Sequence, residues 1–208
     1  MGGTVNAAPP FVALTGGLGA GKSTALQVLE RLGAATLSTD AVVHELHGSA
    51  PVRDAVVARF GPEVAPGGVL DRAVLAERVF AADADGAGAD REWLEQLLWP
   101  LVRQRVAQWR RANAAASVQV VEVPLLFESG SERLYDATIA IVSDERLRES
   151  RAHGRGQRAV AERERRQLSQ QDKASRATYV VVNDGDLAEL EAKLSAILVM
   201  LRRGWSQP

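Results

Sequence analysis

The segment GGLGAGKST indicates the most specific chemistry in this chain, because it matches the pattern G-x-x-x-x-G-K-[ST] at Gly16, Gly21, Lys22 and Ser23. Glycines let the backbone turn tightly, so that successive N–H groups face the oxygens of a phosphate. In such a loop the lysine binds the β- and γ-phosphates, and the serine hydroxyl binds Mg²⁺. The motif therefore predicts a site for a nucleoside triphosphate. Its predicted contacts are Gly17, Leu18, Gly19, Ala20, Gly21, Lys22, Ser23 and Thr24.

The elements that flank this motif are those that must position a phosphate-binding loop. Residues 11–15 form an apolar run typical of a buried strand, and residues 23–32 have the apolar spacing of a helix. A second short strand follows at 35–37, shortly before Asp40, which can cap the next helix. Later apolar runs predict three further strands, at 118–123, 137–142 and 179–182. We therefore predict an α/β fold of the P-loop NTPase type, with a parallel five-stranded sheet and helices on both faces.

The remaining segments divide the chain into regions of different character. Residues 1–10 read as a flexible tail, and residues 48–116 read as a helical insertion with Gly and Pro breaks, including a turn at 83–90. The nucleotide-binding core is then predicted at 11–47 and 117–208. Within it, residues 144–176 carry ten basic against six acidic residues, a net charge of +4. A basic segment beside a triphosphate suits a helical lid, although a solvated helix face explains any single arginine better.

Composition argues against several classes of protein. The 25 Lys and Arg residues nearly balance the 26 Asp and Glu residues, which argues against a general nucleic-acid-binding protein. With 0 Cys, the chain has no disulfide framework, zinc–thiolate site or cysteine nucleophile. No apolar run approaches the ~20 residues of a membrane-spanning helix, and the first residues lack the features of a signal peptide. We therefore expect a cytoplasmic protein without nucleic-acid or membrane partners.

Residues outside the motif narrow the class of nucleotide-binding protein. A GTPase normally carries N-K-x-D after a late strand, whereas this chain has N-D-G-D at 183–186. A helicase-type ATPase normally has an apolar strand that ends in Asp-Glu, whereas here the strand contains Glu122 and ends at Pro124. A small-molecule kinase remains, and it needs a carboxylate near the acceptor hydroxyl. Asp40 suits this role because it follows the second strand, and the carboxyl ends of strands face the nucleotide in such folds.

Five segments, in order along the chain, resemble the dephospho-CoA kinase family. They lie within residues 11–201, and the P-L-L-F-E run together with the late N-D-G is more specific than the phosphate-binding loop alone. The segments are LTGGLGAGKST, LSTDAVVHEL, LEQLLWPLVR, VPLLFE (Val123–Glu128) and RQLSQQDKASRATYVVVNDG. The resemblance implies a kinase that transfers the γ-phosphoryl group of ATP to the ribose 3′-hydroxyl of dephospho-CoA, the last step of coenzyme A biosynthesis. It also implies that Mg²⁺ accompanies ATP and that the helical insertion binds the acceptor.

The resemblance assigns roles to individual residues of this sequence. Those implied to act in catalysis are Lys22, Asp40, Arg155 and Arg163. Those implied to bind ATP in addition to the motif are Arg151, Asn183 and Gly185. Those implied to bind the acceptor are Asp40, His44, Arg103, Pro124, Leu125, Leu126 and Glu128. The implied Mg²⁺ ligand is Ser23, and Glu122, acting through water, is a candidate second ligand where this chain departs from the family pattern.

Two positions depart from the family pattern. Ser38 stands where the family often has the first carboxylate of Asp-x-Asp, so either that carboxylate acts indirectly or Mg²⁺ is held differently here. Trp99 replaces the histidine of the family's His-Pro pair, and it either stacks on the substrate or fills a helix interface.

Two alternatives to the function implied by the resemblance stay open: another P-loop kinase for a nucleoside, a nucleotide or a small metabolite, and a nucleotide-regulated binding module without catalysis. We expect a monomer or a weak homo-oligomer.

Overall fold

Five strands form one parallel sheet in the computed structural model, which describes residues 8–79, 87–152 and 167–204. The strands are β1 (Phe11–Gly16), β2 (Ala35–Ser38), β3 (Gln119–Glu122), β4 (Ala137–Val142) and β5 (Tyr179–Val182). Their order is β2-β3-β1-β4-β5, and each neighbouring pair is parallel. Strand β1 is buried along its whole length, because it lies at the centre of the sheet and is covered on both faces. The predicted α/β fold of the P-loop type, with its five-stranded parallel sheet, is confirmed.

Helices connect the strands and fill the long segment between β2 and β3. They are α1 (Lys22–Arg31), α2 (Thr39–His47), α3 (Ala50–Phe60), α4 (Arg72–Val79), α5 (Ala87–Ala112), α6 (Glu145–Ala152), α7 (Gln170–Arg176) and α8 (Leu187–Gly204). The turn predicted at 83–90 is wrong for residues 87–90, because alanines and an early aspartate favour the start of α5 there. Asp40 lies inside the first turn of α2 and not at its N-cap, because no linker separates β2 from α2. Among the described helices, none is long and apolar enough to cross a membrane.

The chain forms two compact units. One contains the sheet and comprises the residues up to Ser38 and those from Trp109 onward. The other is helical and runs from Thr39 to Gln108. The helical insertion is predicted at 48–116, whereas the helical unit begins earlier, with α2, and ends within α5.

Two apolar layers cover the sheet of the first unit. On one face, side chains of β1 pack with those of α1 and α8. This layer includes Val12, Leu14, Val28, Leu29, Leu194 and Leu198. On the other face, Ala13 packs with Leu126 and Phe127 from the segment after β3, and α7 contacts β1 and β4. Because successive side chains of a strand point to opposite faces, Val12 and Leu14 of β1 belong to one layer and Ala13 belongs to the other.

The helical unit has its own apolar packing. Val52 and Val56 of α3, Leu75 and Val79 of α4, and Val64 between these helices are all buried. Contacts between α3 and α5 are the edge-to-face pair of Phe60 with Trp93 (5.6 Å between ring centroids) and the ion pair of Arg59 with Asp90 (2.8 Å). The half-buried Trp93 ring of α5 thus packs against α3 within this unit.

An aromatic cluster fixes the start of β1. The rings of Phe11 and Tyr135 stack with their centroids 4.6 Å apart, and the guanidinium of Arg110 lies 4.3 Å from the Phe11 ring. The backbone N–H of Phe11 donates to Asp136 Oδ2 at 2.7 Å. Burial at this cluster raises the pKa of Tyr135 to about 12.

We predict that Tyr135→Phe reduces the loss of stability at alkaline pH. The phenol ionises near its ordinary pKa of 10.0 in the unfolded chain but stays protonated to about pH 12 in the folded chain, so its contribution is complete below pH 10 and is lost as the pH rises towards 12. Between about pH 9 and pH 11, denaturant titration should show the parent losing roughly 1 to 1.5 kcal/mol more of its free energy of unfolding than the variant. Equal losses in the two proteins would contradict this assignment.

Candidate active site

The loop from Gly17 to Gly21 connects the central strand to α1 and requires glycine at two positions. Gly19 and Gly21 have φ angles of +73° and +91°, in the left-handed region that glycine adopts without strain. A Cβ atom on Gly19 would also lie 2.5 Å from the carbonyl oxygen of Arg148 in α6. The close approach of α6 to this turn therefore depends on the absence of a side chain.

Three carbonyl oxygens of the loop each accept a hydrogen bond from a side chain. The bonds run from Lys22 Nζ to Gly17 O (3.0 Å), from Arg148 Nε to Leu18 O (2.9 Å) and from Asn183 Nδ2 to Ala20 O (2.8 Å). In a trans peptide, the C=O and the N–H of one plane point in opposite directions. The N–H groups of Leu18, Gly19 and Gly21 therefore point away from these donors. Together with the start of α1, they form a polar surface suited to an anion.

The first turn of α1 supplies the charged and hydroxyl groups of the motif. The helix begins at Lys22, so the positive end of its dipole lies at the loop. Ser23 and Thr24 are exposed in this turn. A hydroxyl at this position, next to a bound phosphate, can ligate a divalent cation.

A cavity of about 190 Å³ lies between the loop and the start of α8. Its lining residues are Gly21, Thr24, Asn183, Gly185, Asp186, Leu187 and Leu190. Asn183 is 7% exposed, and its backbone N–H donates to Val142 O at 2.8 Å. A Cβ atom on Gly185 would collide with the carboxylate of Glu189. The fold thus brings Asn183 and Gly185 next to the loop, although 163 positions separate Asn183 from Ala20.

A second cavity, of about 240 Å³, lies between the loop, α6 and the residues around the start of α7. Its lining residues are Gly17, Glu145, Arg148, Gln167, Leu168, Ser169 and Gln170. The side-chain amide of Gln170 pairs with the backbone of Ser143 through two hydrogen bonds of 2.9 Å. Arg148 and Gln170 shape the wall next to Gly17, a role that sequence reasoning missed. Both lie in a run of polar residues, and no local pattern distinguishes them from their neighbours.

Glu122 ends β3 at the same edge of the sheet as the loop. In the parallel register it lies opposite Leu14 of β1 and Ser38 of β2, and it is 6% exposed. Among the residues described, no group of three or more His, Cys, Asp or Glu side chains is placed to hold a metal ion. Oxygen donors such as Glu122 and Ser23 suit Mg²⁺, which commonly takes one or two protein ligands and completes its shell with phosphate oxygens and water.

The segment from Pro124 to Glu128, here called the 124–128 loop, follows β3 and is held from inside the protein. Leu126 is fully buried, whereas Pro124 and Leu125 are partly exposed. Polar contacts of the loop run from Lys173 Nζ to Pro124 O (2.7 Å) and Glu128 Oε1 (2.9 Å), and from the backbone N–H of Leu168 to Glu128 Oε1 (2.8 Å). Burial lowers the pKa of Lys173, and its contact with Glu128 partly offsets this effect. Sequence reasoning missed Lys173 because lysine in a polar helix is typically exposed.

Three predicted acceptor residues lie in the helical unit. Asp40 is exposed in the first turn of α2, and Arg103 is exposed on α5. His44 Nδ1 lies 3.0 Å from a guanidinium nitrogen of Arg72. Burial and then the charge of Arg72 lower the pKa of the neighbouring His47.

The predicted basic lid at 144–176 is described only in part, as α6 and as the residues from 167 through α7. Arg151 lies in α6, and its side chain is not described. Arg155 and Arg163 lie outside the described residues. Among the described residues of this segment, Arg148, which the sequence did not single out, contacts the phosphate-binding loop.

Comparison with known proteins identifies a family. The family model described as dephospho-CoA kinase matches residues 10–189. A dephospho-CoA kinase from Moorella thermoacetica is 39% identical over 204 residues, which cover 93% of this chain and 92% of the relative. A dephospho-CoA kinase from Deinococcus radiodurans is 38% identical over 198 residues, which cover 93% of each chain.

Solved structures share the fold described above. A crystal structure of a protein from Thermus thermophilus matches with a TM-score of 0.76 at 32% identity, covering 93% of this chain and 98% of that chain. Dephospho-CoA kinase from Campylobacter jejuni has the same fold, with a TM-score of 0.66 at 21% identity, covering 93% of this chain and 97% of that chain. The predicted class, an ATP-dependent kinase, is confirmed by these matches. With its phosphate-binding loop between β1 and α1 and a family match over most of its length, this chain belongs to the dephospho-CoA kinase family of coenzyme A biosynthesis.

Proposed function

We propose that this chain transfers the γ-phosphoryl group of ATP to the ribose 3′-hydroxyl of dephospho-CoA. Family membership supports the reaction, and one observation in this chain carries the binding of ATP: side chains hold the carbonyls of the loop from Gly17 to Gly21. Because the protein itself fixes these peptide planes, their amides are preorganised for a polyphosphate. A cytoplasmic location, the lack of nucleic-acid partners and a monomeric or weakly associated state stay predictions.

The nucleotide is proposed to lie across the start of α1. Its phosphates bind the loop amides and the Lys22 ammonium, whose contact with Gly17 O holds it at the loop. The adenine occupies the cavity lined by Asn183 and Gly185, which also borders the loop. The arginines predicted to bind the nucleotide and the transferring group, Arg151, Arg155 and Arg163, stay predictions.

Magnesium is the divalent ion that the oxygen donors at this edge fit. Ser23 offers an exposed hydroxyl in the first turn of α1, and Glu122 offers a carboxylate at the end of β3 that we propose acts through water. When bound, Mg²⁺ neutralises charge on the β- and γ-phosphate oxygens. Ser38, at the end of the neighbouring strand β2, carries no charge. Glu122 of β3 is therefore the carboxylate at the paired ends of these two strands.

Asp40 is the proposed partner of the acceptor hydroxyl. Its exposed carboxylate accepts the proton of the 3′-hydroxyl while the oxygen forms a bond to the γ-phosphorus and the bond to the β-phosphate breaks, releasing ADP. The 124–128 loop is proposed to bind the rest of the acceptor, and the acceptor-binding roles of His44 and Arg103 stay predictions.

We predict that Lys22→Ala and Asp40→Ala each lower kcat by about 100-fold or more. The first removes a cation from the phosphates, and the second removes the carboxylate from the acceptor hydroxyl. Initial rates of ADP formation, with and without dephospho-CoA, measure the effect. Arg31→Ala and Asp54→Ala are controls that remove exposed members of surface ion pairs, and they should keep the parent rate.

Two outcomes of these rate measurements would count against the proposal. Near-normal kcat in Asp40→Ala would remove Asp40 from the mechanism. No acceptor-dependent turnover by the parent would refute the reaction itself. A panel of nucleoside, nucleotide and small-metabolite acceptors would then separate another kinase from a nucleotide-binding module.

We predict that Gly19→Ala weakens ATP binding by at least about tenfold. Alanine at this position would have to adopt a φ of +73° and place its Cβ 2.5 Å from Arg148 O, so the loop would shift. Titration calorimetry with ATP and Mg²⁺ measures the affinity. Gly68→Ala is the control, because Gly68 has a φ of +80° but no atom within 4 Å of the added Cβ. That control should lose about 1 kcal/mol of stability and keep the parent affinity, and equal affinity in all three proteins would contradict the prediction.

A further inference from the structure

Lys173 is a fully buried lysine whose ammonium joins both ends of the 124–128 loop. It belongs to α7, and its Nζ donates to Pro124 O at 2.7 Å and pairs with Glu128 Oε1 at 2.9 Å. Lysine is rarely buried, because an ammonium taken out of water destabilises the fold unless partners compensate for it. Both partners here come from the two ends of one five-residue segment. The ammonium is therefore a contact that fixes both ends of the segment at once.

The carboxylate of Glu128 is mostly buried and makes its contacts inside the protein. Its side chain is 13% exposed, and Oε1 also accepts the backbone N–H of Leu168 at 2.8 Å. Its other oxygen, Oε2, is buried and has no hydrogen-bond partner among the described residues. The ion pair with Lys173 is thus a principal stabilisation of this charge, and Glu128 acts by fixing the loop.

The same stretch of chain also forms the wall beside the phosphate-binding loop. Residues 167–170 line the cavity at Gly17, and the Gln170 amide is paired with Ser143 at the end of β4. Three residues further on, Lys173 holds the 124–128 loop. That loop leaves β3 at the carboxyl edge of the sheet, where Thr15 Oγ1 of β1 donates to Pro124 O at 3.4 Å. A substrate that crosses the strand ends towards the nucleotide would therefore meet it.

We propose that Lys173 is a positioning residue for the acceptor: by holding Pro124 and Glu128 together, it sets the affinity for dephospho-CoA without touching either substrate. This inference rests on the proposed function, which places the acceptor against the 124–128 loop. The phosphate-binding loop has its own side-chain contacts, from Lys22, Arg148 and Asn183, so the effect on ATP is expected to be small.

Steady-state kinetics of Lys173→Met in the full chain test the proposal. Methionine keeps the length of the side chain and removes the ammonium. We expect the KM for dephospho-CoA to rise about tenfold or more, while the KM for ATP changes by less than about threefold. Leu198→Ala is the control for lost stability, because Leu198 is 1% exposed in the core on the opposite face of the sheet. It should lower the unfolding midpoint and leave both KM values unchanged.

A second variant keeps the test decisive if Lys173→Met folds poorly. Lys173→Met combined with Glu128→Gln leaves no unpaired buried charge, which removes the main reason for misfolding. The contact that joins Pro124 to residue 128 through Lys173 is still absent in this double variant. We expect this double variant to show the same selective rise in the KM for dephospho-CoA. A parental KM for dephospho-CoA in the double variant, or an equal rise in both KM values, would overturn the inference and leave the proposed function intact. No turnover of dephospho-CoA by the unmodified chain would overturn both.

Discussion

Amides can bind an anion together only if the peptide planes that carry them are fixed. In this protein the planes of the phosphate-binding loop are fixed by side chains of the helix that follows it, of α6 and of the turn after β5. Arg148 lies 130 positions from Leu18 in sequence, and Asn183 lies 163 positions from Ala20. The loop conformation is therefore a property of the whole sheet unit. Pairing of β1 with β4, and of β4 with β5, brings these distant donors to the loop.

Polar groups at the carboxyl edge of the sheet fall into two sets. One set is turned inward and builds the site: the Gln170 amide on Ser143, and the Lys173 ammonium on Glu128. The other set, which includes Ser23, is exposed and available to a substrate. Inward groups cost desolvation and therefore need geometrically good partners, which makes them rigid supports for the groups that react.

The sequence predicted the parts of this structure that local patterns encode. Strands β4 and β5 match the predicted ranges, because apolar runs bounded by turn residues are a local signal, and the phosphate-binding motif is contiguous. Lys173 and Arg148 could not be predicted, because their roles arise from neighbours 49 and 130 positions away. The cap expected at Asp40 failed for a related reason, since the junction between strand and helix is set by the fold. Asp40 keeps a predicted role that rests on its place after β2 and on family resemblance, and Arg155 and Arg163 keep roles that rest on the resemblance alone.

The contact of Lys22 with Gly17 O has a consequence for selectivity among anions. At 3.0 Å one N–H of the ammonium donates to this internal acceptor, which holds the side chain at the loop, and an ammonium has three N–H donors, so it can also bind an incoming oxyanion. A small ion such as inorganic phosphate reaches few of the amides while it binds the ammonium, and the net gain from each hydrogen bond is small. A longer chain of phosphoryl groups can reach the ammonium and several amides at the same time. The resting loop thus discriminates by anion length before any lid or acceptor is involved.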